Sequence, residues 1–131
     1  MYALVDRPVA LLGKEERFLL DAMRAWVHAL TLAGDPARAI AGGFEARGLA
    51  ARQSVFDDAM RTLDGGSTDT LTFQRPCHVT VEEDEAIVLG LWRLVQGDRI
   101  GDACAAAARL VTPDAARDLV RAMAAFGALE D

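Results

Sequence analysis

Helical periodicity runs along nearly the whole chain and fails in one window, Thr70 to Glu85. A chain patterned this way buries its apolar stripes helix against helix, because too few residues alternate with the period of two that a sheet requires. The fold class expected is therefore all-α. It comprises five to six helices in a compact orthogonal or bundle-like array, with one short extended segment at about 70–79. The 131 residues suffice for a single domain, 1–131, with one core and no need of disulfide staples. Apolar residues make up 52% of the chain but aromatics only 6%, so closely spaced helices rich in alanine should build that core.

The helices can be placed from their start and stop signals. A first helix is expected from about Lys14 to Ala33, with Leu19, Met23, Trp26, Leu30 and Ala33 facing inward and Arg17, Asp21, Arg24 and His28 forming the polar stripe. Gly34 stops it, and Asp35-Pro36 opens a second helix to about Arg47, weakened by Gly42 and Gly43. A third helix follows Gly48, turns Leu49, Phe56, Ala59, Met60 and Leu63 inward, and ends at Gly65-Gly66. Thr70 to Gln74 then alternates polar and apolar residues, and Pro76 forbids helix. A lone strand is unstable, so this segment pairs with Val79-Thr80-Val81, pairs with a symmetry mate, or packs as an extended loop. Thr80 and Glu83 read as a capping box that starts a fourth helix at about Val81. Its inner face would be Ile87, Val88, Leu91, Trp92, Leu94 and Val95, ending at Gly97. Asp98 caps a fifth helix with the stripe Ile100, Cys104, Ala107 and Val111, and Thr112-Pro113-Asp114 starts a sixth.

Charge and targeting signals narrow the function classes. A formal net charge of −6 spread along the chain repels phosphates, which disfavours nucleic acid and anionic membranes as partners. No run reaches the roughly 20 apolar residues of a membrane span. The first dozen residues carry Asp6, Arg7 and Pro8 instead of a signal-peptide pattern. Together with two cysteines, Cys77 and Cys104, this gives a cytoplasmic address with reduced thiols.

The residues with chemical potential gather in the window where the helical pattern fails. Cys77 and His78 precede Glu82, Glu83, Asp84 and Glu85, and thiolate, imidazole and carboxylate all bind zinc. By helical phase Asp84 falls on the apolar face of the fourth helix, apart from Glu82 and Glu85, which read as solvated. It can serve as a dipole-stabilised first-turn residue, or reach back to Cys77 or His78 as the third member of a Cys-His-acid arrangement. Cys77, His78 and Asp84 are thus the candidate binding residues. Their spacing matches no compact zinc site, so no metal, cofactor or catalytic residue is assigned. His28 reads as solvated, Cys104 as a buried inert thiol, and Trp26 and Trp92 as core or interface residues. Asp57 with Arg61 and Asp118 with Arg121 lie at ion-pair spacing.

Phosphate loops, dinucleotide fingerprints, nucleophile elbows and zinc-protease helices are absent from the sequence. Helices two and three with Leu71 to Val81 as a wing invite a winged-helix DNA-binding reading, but Asp57, Asp58 and Asp64 give the recognition helix the wrong charge.

Cys77, Asp84-Glu85-Ala86, Gly97-Asp98, Asp102-Ala103, Val111, Pro113-Asp114 and Phe126-Gly127 together resemble a set of small, uncharacterised, all-helical bacterial proteins. The resemblance spans roughly the C-terminal two-fifths of the chain. It implies that the segment of Cys77 and the Asp84-Glu85 helix start recur together, and it carries no activity.

The reading that fits these observations is a non-catalytic cytosolic interaction or regulatory protein acting through an apolar helical surface. A twofold homodimer, a protein partner, or both are expected, with Trp92 or the extended segment at the interface. The alternatives are a small-molecule or metal site at Cys77, His78 and Asp84, and a DNA-binding regulator.

Overall fold

The computed structural model describes residues 8–68, 71–76 and 78–128. Six helices follow in order: α1 Lys14–Thr31, α2 Pro36–Ala46, α3 Gln53–Gly66, α4 Glu83–Gln96, α5 Ile100–Ala107 and α6 Pro113–Ala128. Short 3-10 turns at Val9–Leu11 and Ala50–Arg52 lead into α1 and α3. The all-α class expected from periodicity is the class observed.

Several helix ends form where the sequence signals them. Asp35 caps α2 by accepting hydrogen bonds from the backbone N–H groups of Ala37 and Arg38, at 3.1 and 3.4 Å, with Pro36 at the first helical position. Thr112 does the same for α6, its hydroxyl accepting from the Ala115 N–H at 3.3 Å. Helices α1, α2 and α4 share one C-terminal device, a paired hydrogen bond closing over a residue of positive φ. In α1 the Gly34 N–H reaches Ala29 O and the Ala33 N–H reaches Leu30 O. In α4 the Arg99 N–H reaches Leu94 O and the Asp98 N–H reaches Val95 O. The left-handed residue is Gly48 (φ 70°) in α2, but Ala33 (φ 58°) and Asp98 (φ 62°) in the other two. The stop glycines Gly34 and Gly97 therefore sit beside the left-handed position. Each meets a helix carbonyl there, since an added Cβ would lie 3.3 Å from Ala29 O or Arg93 O.

The core runs through every helix as one buried cluster. Helix α4 is its axis. Ala86, Val88, Leu89, Gly90, Leu91, Trp92 and Val95 are all buried, so the helix is apolar on more than one face, as expected of a helix surrounded by others. It packs on α1, α5 and α6, while α3 and α6 form the most extensive pair. Phe44, Phe56, Trp92 and Phe126 meet in an aromatic cluster, with Trp92 stacked on Phe56 at 5.8 Å and edge-on to Phe126 at 5.1 Å. Both tryptophans are core residues. Trp92 is 1% exposed, so it cannot serve as a surface contact.

Some local expectations are corrected. Helix α4 starts at Glu83 with Glu82 as N-cap, two residues later than the Thr80–Glu83 pairing suggested, because Glu85 reaches back to the Glu82 N–H at 2.9 Å. Of the stripe expected on α5, Ala107 and Val111 are buried but Ile100 is exposed, Ala103 and Ala106 facing inward instead. Asp98, taken up in the left-handed turn that closes α4, does not cap α5, whose N-cap is Arg99. The extended segment forms no hairpin among the described residues. Thr80 bridges to Pro8, with the Val9 N–H donating to Val79 O at 2.8 Å, and Ser67 bridges to Val111. Residues 71–76 pack as an extended loop, one of the three forms the alternation allowed.

Candidate functional site

The window before α4 is organised by one ion pair that the periodicity placed on the wrong faces. Arg24 and Glu85, each assigned to solvent by helical phase, are both 0% exposed. The Arg24 guanidinium donates Nε to Glu85 Oε2 at 2.8 Å and Nη2 to Glu85 Oε1 at 2.9 Å. It also donates to two backbone carbonyls of the loop, His78 O at 2.7 Å and Thr80 O at 2.8 Å. Glu85 in turn accepts the Gln74 N–H at 2.9 Å and the Glu82 N–H at 2.9 Å. One fork-to-carboxylate pair thus satisfies backbone groups on both arms of the segment that cannot form a sheet. The clasp is fully used by the fold.

The sequence-derived candidates lie around this clasp. Cys77 falls outside the described residues. His78 is half-buried, with its Nε2 3.2 Å from Thr80 Oγ1. Asp84 accepts the Thr72 N–H at 2.5 Å, anchoring the incoming arm of the loop. No hydrogen bond joins His78 to Asp84 among the described residues. Among those residues, too, no three His, Cys, Asp or Glu side chains form a metal-binding group. Cys104, expected to be buried, is partly exposed on α5 with a free thiol. Asp57 and Arg61 pair at 2.7 Å as expected, and Asp57 also accepts the Trp26 Nε1–H at 2.8 Å. Asp118 and Arg121 approach to 3.7 Å.

A second feature left only a faint trace in the sequence. The antiparallel hairpin of α1 and α2 leaves an open trough of about 710 Å³ along its outer side. Ala22, Ile40 and Phe44 form its buried floor, with Phe18 half-buried at one end. Ala39, Gly43 and Ala46 give its α2 wall almost no side-chain bulk. Lys14, Arg17 and Arg47 gather at the end where α1 begins and α2 finishes, and the Arg47 guanidinium lies 5.0 Å over the Phe18 ring. Among the described residues Asp21 is the one acidic residue lining the trough. Desolvation against the trough raises its carboxyl above the ordinary 3.8, and the positive charges of Arg17 and Arg24 offset part of that rise. The observable hint was the glycine pair within a helical segment, read there only as a weakness.

No protein-family model, curated protein or solved structure matches the chain. Its function must therefore be argued from these two features. Among the described residues no helix is long and apolar enough to cross a membrane.

Proposed function

We propose that this is a non-catalytic cytosolic interaction or regulatory protein whose working surface is helical and apolar. The observation that carries the reading is the α1–α2 trough, whose apolar floor no element of the described chain covers. Of two adjacent glycines in α2, Gly43 lines the trough and supports it. Gly42 and Gly43 each cost helix stability, roughly 1 kcal/mol relative to alanine. Neither has a positive φ, and a Cβ built on either would meet nothing within 4 Å. The fold itself gives no reason for glycine at either position, whereas a partner seated closely in the trough would at Gly43.

A homodimer belongs to the same reading. With Trp92 enclosed, the extended segment is the remaining face proposed for it, and Val79, 72% exposed, is the residue it would cover. A ligand site at Cys77, His78 and Asp84 is the competing reading.

Native mass spectrometry of protein purified without chelator separates the two. Protein-only species, whether monomer, dimer or partner complex, agree with the interaction reading. A retained metal or small-molecule mass that is lost in Cys77→Ser or Asp84→Asn overturns it.

A further inference from the structure

We propose that the trough between α1 and α2 seats an acidic amphipathic α-helix of a partner protein. This proposal rests on the interaction reading above and names its site and the chemistry of the partner.

Shape supplies the first argument. The trough follows α1 from Lys14 to Ala25, a run of roughly 17 Å at the α-helical rise, which matches about three turns of a docked helix. Two antiparallel helices present a furrow into which a third helix packs by the same ridges and grooves that join the first two. Small residues on the α2 wall let the incoming backbone approach closely. Ala39, Gly43 and Ala46 line it, Ala39 and Gly43 one turn apart, and all three are exposed.

Charge selects the occupant. The trough carries Lys14, Arg17 and Arg47 against Asp21 alone, a local balance of +2 on a chain of net charge −6. Among the described residues none of the three cations is held in an ion pair. A helix whose apolar stripe covers Phe18 and Ile40, with carboxylates flanking that stripe at the Lys14 end, satisfies both the floor and the rim. A second copy of this chain fits poorly. Two α2 helices crossing antiparallel at Gly42-Gly43 would place Arg38 of one copy beside Arg47 of the other, at both ends of the contact.

The test uses the whole protein and a set of synthetic capped helical peptides of about 16 residues, long enough to fill the trough. The peptides vary in their alanine and leucine stripe, and each is made with flanking glutamates and again with flanking lysines. Binding is read by titration calorimetry, and the site by amide hydrogen exchange. Glutamate peptides are expected to bind, to protect α1 and α2 from exchange, and to lose affinity as salt is raised. The lysine versions should bind at least about tenfold more weakly, a difference of about 1.4 kcal/mol. Arg17→Glu with Arg47→Glu should reverse that preference. Gly43→Leu should abolish binding without lowering the circular dichroism melt, since the position is open.

Equal affinity for both charge versions, binding by no peptide of the set, or binding indifferent to Gly43→Leu overturns the proposal. If protein complexes still appear by native mass spectrometry in that case, the interaction reading survives and the site lies elsewhere. A dimer in sedimentation that Gly43→Leu dissociates would make a second copy the occupant and also overturns it.

Discussion

Arg24 and Glu85 show how far one misplaced polar pair can govern a structure. Removing either partner leaves a buried charge and several backbone groups without hydrogen bonds. Arg24→Met should therefore cost about 3–5 kcal/mol in urea denaturation. Where an isolated buried ion pair can often be replaced by apolar residues, the double variant Arg24→Met/Glu85→Met should regain only part of the loss. The carbonyls of His78 and Thr80 and the N–H groups of Gln74 and Glu82 would remain unsatisfied. Asp21 gives the opposite case at the surface. Because its carboxyl is raised in the folded protein, the folded state holds that proton more tightly than the unfolded chain does. Its contribution to stability is thus full below 3.8 and is lost as pH rises through the folded value. Asp21→Asn should unfold like the parent at about pH 3 and be the more stable of the two at about pH 7, as read by urea midpoints across that range. The sequence offered a clue to Arg24 that a single-stripe reading passes over. Leu20 and Arg24 are one turn apart, and Leu20 is fully buried, so the apolar face of α1 is broad enough to include Arg24.

Among the elements, a side-chain cap at a helix start is legible from its own few residues, whereas the residue that closes a helix is not. A cap such as Asp35 or Thr112 acts on backbone groups within three residues, so the local sequence suffices to place it. A stop depends on which residue takes the left-handed conformation, and the neighbouring turn decides that. In α1 and α4 the glycine occupies the crowded position beside the helix carbonyl, leaving Ala33 and Asp98 to adopt positive φ. Alanine pays roughly 1–2 kcal/mol for that conformation, while asparagine and aspartate tolerate it better. Ala33→Gly should therefore raise the thermal midpoint, by about 1 kcal/mol in stability, and Asp98→Gly should give a smaller gain. The fourth helix was misplaced by two residues for a related reason. Two acidic residues three apart, Glu82 and Glu85, outcompeted Thr80 with Glu83 once Glu85 was drawn inward by Arg24.

For the whole molecule, one close helix approach lies between α3 and α6. A Cβ on Gly66 would come within 2.4 Å of the Ala115 Cβ, closer than two carbons can approach, so this glycine sets the spacing of the most extensive helix pair. Gly66→Ala should destabilise by about 1–3 kcal/mol by urea denaturation, whereas the same change at Gly43 should stabilise. The contrast separates a glycine needed by the fold from one the fold does not use. Sequence by itself determined the helical class, a count of five to six helices and the starts of α1, α2 and α6, because periodicity and capping are properties of a few neighbouring residues. It also marked the window before α4 as the place where the regular pattern ends. Only the tertiary structure decided which polar residues turn inward, what anchors that window, and that α1 and α2 leave a trough between them. The first two outcomes depend on residues far apart in sequence, such as Arg24 and Glu85, whose pairing energy appears only once both helices have excluded water from around them.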